Sequence, residues 1–274
     1  MTKYYTRACN FFYGHQSKKL VKQNICLPIC NDRSISFNQI ELFSRDKKIV
    51  KSKIIDLKSI KKLPKKIKKK VFQDLKKITS KRKILVNKPH IIMGVINMTP
   101  DSFSDGGKYN SFKKANQRIK QLISSGADII DIGGESTRPG SKVIKPENEL
   151  ERVKKIIVEF KKKFPKKLLS IDTRKSKVID YALKKGADII NDVSCFKFDK
   201  NSFNSLKNKN TWKIIHHMQG TPQTMQINPK YNHVLLDIYD FFEKEIKKFQ
   251  KDKYKKKIIL DPGIGFGKKL KHNL

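Results

Sequence analysis

Acidic residues and sulfur are what this chain has least of. Only 25 aspartates and glutamates stand against 63 lysines and arginines, a formal net charge of +38. No run of 18 or more apolar residues occurs, so no membrane-spanning helix is expected. The opening Met1-Thr-Lys-Tyr-Tyr-Thr-Arg-Ala-Cys9 lacks the apolar core of a secretory signal, which points to a cytoplasmic protein. The four cysteines, at 9, 26, 30 and 195, form no Cys-x-x-Cys pair and have no histidines at zinc spacing. Free thiols in a reducing compartment follow.

What abounds is lysine. A surface this basic attracts phosphates without regard to sequence, which raises nucleic acid as a partner. Yet lysines occur along the whole chain, on the outer positions of every expected helix. That distribution reads as a solvated charged surface, so no nucleic-acid partner is expected. Hydrophobic residues make up 37% of the chain, enough for a sizeable core.

Residues 1–88 and 89–274 are patterned differently. In the first region, Ile35-Ser-Phe-Asn-Gln-Ile-Glu-Leu-Phe43 alternates weakly and suggests a strand. After Pro64, Ile67, Val71, Phe72 and Leu75 recur at helical spacing, predicting a basic amphipathic helix. Such a helix suits an acidic partner or membrane surface, but more often it packs its stripe on the neighbouring domain. The region is expected to be a small basic α+β extension, and no chemistry is assigned to it.

From Pro89 onward, short apolar runs alternate with amphipathic stretches. Strands are expected at 91–96, 129–132, 168–171, 189–190, 213–215 and 258–260, and helices at 112–124, 147–162 and 175–185. Apolar strands alternating with helices make a parallel sheet covered by helices. Gly126-Ala-Asp-Ile-Ile130 recurs as Gly186-Ala-Asp-Ile-Ile190, each time ending a helix and launching a strand. A repeated β/α unit places the polar residues after each strand on the face where β/α barrels build their sites.

Those strand ends carry Asn97-Met-Thr-Pro-Asp-Ser-Phe-Ser-Asp-Gly-Gly107, Asp131-Ile-Gly-Gly-Glu-Ser-Thr-Arg-Pro-Gly140 and Asp172-Thr-Arg174. Then come Asn191-Asp192, His216-His-Met-Gln-Gly220 and Asp261-Pro-Gly-Ile-Gly-Phe-Gly-Lys268. Converging acids and amides suit a polar heterocycle rich in N–H donors and ring acceptors. Gly-rich loops with Thr137, Arg138 and Lys268 suit an anionic group. Each feature also has a plain reading. Asp172 could be a helix N-cap, and the tandem histidines could be one core and one surface residue. No third ligand completes a metal site with them.

Together these segments resemble the dihydropteroate synthase family, in its order, over residues 89–274. The resemblance implies a TIM-type (β/α)8 barrel that joins p-aminobenzoate to 6-hydroxymethyl-7,8-dihydropterin diphosphate, giving dihydropteroate and pyrophosphate. It further implies that Asp172, Asn191 and Asp261 hold the pterin, with Met218 and Phe266 lining its pocket. Asn97 would help place Mg2+ and the diphosphate. Thr137 and Arg138 would stabilise the diphosphate, and Asp131 would reach the pterin side. The related methyltetrahydrofolate barrels share the fold and the pterin acids, but the Asp101–Gly107 and Ser136–Gly140 segments speak for the synthase.

Only about six of eight β/α units are expected, and the family's later Ser-Arg-Lys and Arg-x-His motifs have no counterpart here. The reading is therefore a chain stopping before the last two strands. On that reading it is short of the helices that form the family's homodimer contact, and weakly active or inactive by itself.

Overall fold

The computed structural model describes residues 2–82, 85, 86, 88, 90–99, 107–138, 140–251, 253–255 and 257–274, apart from the side chains of 107–111. The chain forms two compact units, residues 1–84 and 85–274.

The first unit is a four-stranded antiparallel sheet with two α-helices. Its strands are β1 (Lys3–Tyr13), β2 (Leu27–Ile29), β3 (Asp32–Asp46) and β4 (Ile49–Asp56). The long β3 pairs with all three others: with β1 along most of its length, with β2 near its start and with β4 near its end. Helix α1 (Gly14–Lys22) links β1 to β2, and α2 (Lys65–Thr79) follows Pro64 where the spacing predicted a helix. The α2 stripe of Ile67, Val71, Leu75 and Ile78 packs into a core with Phe37, Ile40, Leu42 and Ile55. The stripe that the sequence reading gave to a neighbouring domain therefore lies in its own unit's core. Phe72, counted into that stripe from sequence, lies one position off it and is exposed.

The second unit carries a six-stranded, wholly parallel sheet. Its strands are β5 (Met93–Asn97), β6 (Ile129–Gly133), β7 (Leu168–Asp172), β8 (Ile189–Asp192), β9 (Trp212–His216) and β10 (Ile258–Asp261). They lie side by side in chain order, β5 and β10 forming the two edges. The helices between them are α3 (Gly107–Ser124), α4 (Pro146–Lys163), α5 (Ser176–Lys184), the short α6 (Ser202–Leu206) and α7 (Val234–Lys248), and α8 (Leu270–Asn273) ends the chain. This is an α/β fold amounting to six units of a (β/α)8 barrel, left unclosed.

Strand side chains alternate between two faces, as a period of two requires. Ile96, Ile130, Ile132, Leu169, Ile171, Ile190 and Ile215 meet Val153, Ile156, Phe160, Val178 and Ile179 of the helices in the main core. The opposite face is apolar only towards the strand starts, where Ile129, Ile189, Trp212 and Ile214 cluster with Met93 and Leu168. Farther along the same face the residues turn polar. On the edge strands Val95 and Leu260 stay exposed.

Candidate functional site

The strand register brings the predicted polar residues together. Asn97 pairs with Gly133, Gly133 with Asp172, and Asp172 with Asn191, so these four stand abreast on four adjacent strands. Gly133 leaves room for its neighbours: a methyl group there would sit 3.3 Å from Asn97 Oδ1 and 3.5 Å from Asp172 Oδ2. One row lower, Asp131 pairs with Ser170, and Asn191 Nδ2 donates to Asp131 Oδ2 at 3.1 Å. Asp131 Oδ1 has no close hydrogen-bond partner among the described residues. A buried, half-satisfied carboxylate is costly to leave without a donor, so this face is prepared for a ligand that brings N–H groups.

The electrostatics agree. Burial raises the Asp131 carboxyl above its usual range, offset in part by the neighbouring Ser170 and Asn191. Asp172 is raised well above its usual range, first by burial and then by the adjacent Asp131 carboxyl, with Asp192, Glu149 and Glu135 adding to it. Two acids crowded together in a partly dry cleft resist ionising together.

Asp261 approaches from β10, where it pairs with His216. Its Oδ1 accepts from Gly263 N at 2.8 Å, and its Oδ2 lies 3.8 Å from His216 Nε2. Of the other predicted pocket residues, Phe266 packs edge-on against His216, with ring centres 4.7 Å apart. Met218 lines a cavity of about 260 Å3 with His216, Val193, Ser194, Phe198 and Arg174. A larger cleft, of about 390 Å3, lies on the helix side between Phe112, Val158 and Tyr181, and none of the strand-end acids reaches it.

Both tandem histidines are buried, so neither is the surface residue that sequence allowed. Burial, followed by the nearby charges of Lys268 and His216, lowers His217 to about 4, which keeps the ring neutral. Its Nδ1 can then accept from Lys268 Nζ at 3.0 Å, while the same amine donates to Gly263 O and Phe266 O at 2.9 and 3.0 Å. Burial lowers Lys268 to about 8. Lys268, expected to meet the substrate's anionic group, here turns inward and ties the Asp261–Lys268 loop. Gly263, at φ +66°, lies so close to His217 O that a Cβ would fall 2.1 Å from it, so only glycine fits.

Thr137 is half-buried and Arg138 exposed on the loop after β6. Pro100–Gly106, the rest of the predicted first loop, lies outside the described residues. Among the described residues no cluster of three metal-ligating side chains occurs, and no helix is long and apolar enough to cross a membrane.

Sequence reasoning gave two features no role of their own. Asp192, fully buried, is a turn anchor: its Oδ1 accepts from Ser194 N and Oγ, and its Oδ2 from Phe196 N. Burial raises it to about 6. Behind Asp172 lies a buried set of four charges, Glu135, Glu149, Arg174 and Lys175, held by contacts across 26 to 40 residues. The Glu in Gly-Gly-Glu-Ser and the Arg-Lys after Asp172-Thr were visible signals, but nothing in the sequence pairs them.

The family model described as pterin binding enzyme matches residues 93–274. The chain is 41% identical over 186 residues to the dihydropteroate synthase of Escherichia coli K12, covering 68% of this chain and 65% of that one. It is 44% identical over 185 residues to that of Clostridium beijerinckii, covering 67% and 65%. Among solved structures, the Yersinia pestis dihydropteroate synthase in a sulfonamide complex superposes with a TM-score of 0.62 at 40% identity, covering 67% of this chain and 66% of that one. The Xanthomonas albilineans enzyme with 4-aminobenzoic acid gives 0.62 at 34%, covering 68% and 66%. The chain thus spans 65% of the length of the first relatives it matches.

Proposed function

The chain belongs to the pterin-binding enzyme family, and from that premise we propose that it carries the pterin-holding part of a dihydropteroate synthase. The reaction class is transfer of a dihydropterin-methyl group from 6-hydroxymethyl-7,8-dihydropterin diphosphate to the amine of p-aminobenzoate. The amine nitrogen bonds to the exocyclic methylene as the carbon–oxygen bond breaks. Pyrophosphate leaves, and the new ammonium gives up its proton to form dihydropteroate.

The row of Asn97, Asp172 and Asn191 beside Asp131 carries this reading. A pterin's amino-pyrimidine edge supplies adjacent N–H donors and ring acceptors, which match carboxylates and an amide set side by side. Asp261 addresses the ring from β10, with Met218 and Phe266 as apolar walls. The attacking arylamine is neutral, so no strong base is needed. Carboxylates near the methylene favour positive charge developing there.

The departing diphosphate calls for cationic support. Thr137 and Arg138 supply a hydroxyl and a guanidinium from the loop after β6. Magnesium prefers hard oxygen donors, keeps several waters and is commonly held through one or two protein groups plus substrate phosphates. The Asn97 carboxamide oxygen at the head of the row fits that donor set. A bound Mg2+ would neutralise charge on the leaving diphosphate.

Titration calorimetry with 6-hydroxymethyl-7,8-dihydropterin diphosphate tests the reading. The chain should bind it, and Asp172→Asn should weaken binding about 10- to 100-fold, since a carboxylate hydrogen bond to a buried donor is worth about 1.5–3 kcal/mol. Unchanged affinity in the folded variant would remove Asp172 from the site, and no binding by the parent chain would end the reading.

A further inference from the structure

We infer that the buried cluster of Glu135, Arg174, Lys175 and Glu149 is a positioning device that fixes the anion-holding loop relative to the pterin acids. The inference rests on the reading above and adds residues to which that reading gives no part.

All four side chains are at most 5% exposed, and their formal charges cancel. The Glu135 carboxylate is the hub. Oε2 accepts from Arg174 Nε at 2.7 Å, and Oε1 accepts from Lys175 Nζ at 2.8 Å and from Ile144 N at 3.0 Å. Burial alone would raise this carboxyl, but the bonds from Arg174 and Lys175 hold it below its usual range. Lys175 Nζ also reaches Glu149 Oε2 at 2.5 Å, and Glu149 Oε1 accepts from Thr173 Oγ1 at 2.5 Å.

The geometry has two consequences. One carboxylate joins residue 135 to the backbone of residue 144, so it closes the base of the loop that carries Thr137 and Arg138. Ser141 tightens that loop, donating through Oγ to Ser136 O and through N to Arg138 O. The cations on the hub follow Asp172 and Thr173 directly in the chain. The loop therefore cannot shift against Asp172 without uncoupling an ion pair in a dry interior, where charges held so closely tolerate little displacement. Fixing two parts of one substrate at a set separation is what such support provides.

A merely structural cluster would affect every ligand alike, whereas a positioning cluster affects the anionic part. Binding of 6-hydroxymethyl-7,8-dihydropterin is compared by calorimetry with binding of its diphosphate, in the full chain and in Glu135→Gln. The parent should prefer the diphosphate form. Glu135→Gln should bind that form about 30-fold more weakly and keep its affinity for the bare pterin within about threefold. Equal weakening of both ligands, or of neither, overturns the inference. A parent chain with no preference for the diphosphate sinks the functional reading instead. Should Glu135→Gln fail to fold, Glu135→Asp keeps the hub's charge and draws its carboxylate back by one methylene. The same selective loss is expected there at about threefold to tenfold, and a non-selective result again overturns the inference.

Discussion

The two units carry equal formal charge in very different ways. Residues 1–84 hold 24 lysines and arginines against five acids, and residues 85–274 hold 39 against 20, so each unit is net +19. The smaller unit thus has about twice the charge per residue, yet among its described residues a single charged side chain, Asp74, is buried. It is matched by Lys70 at 2.6 Å and by Thr6 at 3.0 Å. The larger unit buries Asp131, Glu135, Glu149, Arg174, Lys175, Asp192, Lys213, Glu245 and Lys268, besides two histidines. Charge at a surface costs little and specifies little, whereas charge taken from water must be held by exact partners. The contrast therefore separates composition from chemistry. Net charge, the most conspicuous number in this sequence, does not locate the site, and the place where charge is buried does.

The comparison breaks first where a buried charge loses its partner. Glu149→Gln should cost about 3–5 kcal/mol in urea unfolding, because it leaves Lys175 half-compensated in the interior. Ile40→Ala, in the core of the first unit, should cost about 2–5 kcal/mol through a cavity alone, with no dependence on salt. Lys268→Met should cost about 2 kcal/mol by freeing two carbonyls in the loop after β10, and should raise proteolysis there.

A pH series sharpens the contrast. Folding raises the carboxyls of Asp131 and Asp172, and takes Asp192 to about 6. A carboxyl raised by folding stabilises fully below its unfolded value near 4, and that contribution is lost as pH rises through the folded value. Asp172→Asn should therefore flatten the fall in stability between pH 4 and 7 seen by urea titration. Lys69→Gln on α2 should move stability by less than about 0.5 kcal/mol, the smallest effect of the set.

Legibility from sequence followed the same division. In the second unit each strand is a short apolar run, and on the four central strands both faces are buried near the strand starts, so all six could be read. In the first unit only the stretch within β3 stood out. β1, with sequence Lys-Tyr-Tyr-Thr-Arg-Ala-Cys-Asn-Phe-Phe-Tyr, and β4, interrupted by Lys51 and Lys53, are partly exposed and alternate poorly. The strand-end polar residues were visible as motifs. Their support was not, since Glu135 meets Arg174 and Lys175 only once β6 and β7 lie in register. The burial of the Lys268 amine was not legible either, because nothing in a glycine-rich run shows that the chain folds back over it.

The repeated Gly-Ala-Asp segment does more than launch a strand. Gly126 and Gly186 take positive φ, 101° and 85°, and the aspartate two residues on reaches back to the preceding strand or to the residue just before it. Asp128 Oδ2 accepts from Ile92 N, and Asp188 Oδ2 from Leu169 N. Each backbone N–H of the same aspartates donates to the same residue's carbonyl, Asp128 to Ile92 and Asp188 to Leu169. Every such unit thus sets its own starting point against its neighbour, whatever the length of the helix just completed. Insertions or deletions in α3 or α5 would be absorbed before the next strand begins, leaving the row of acids at the far end in step. A lineage could vary those helices freely while the cleft kept its spacing.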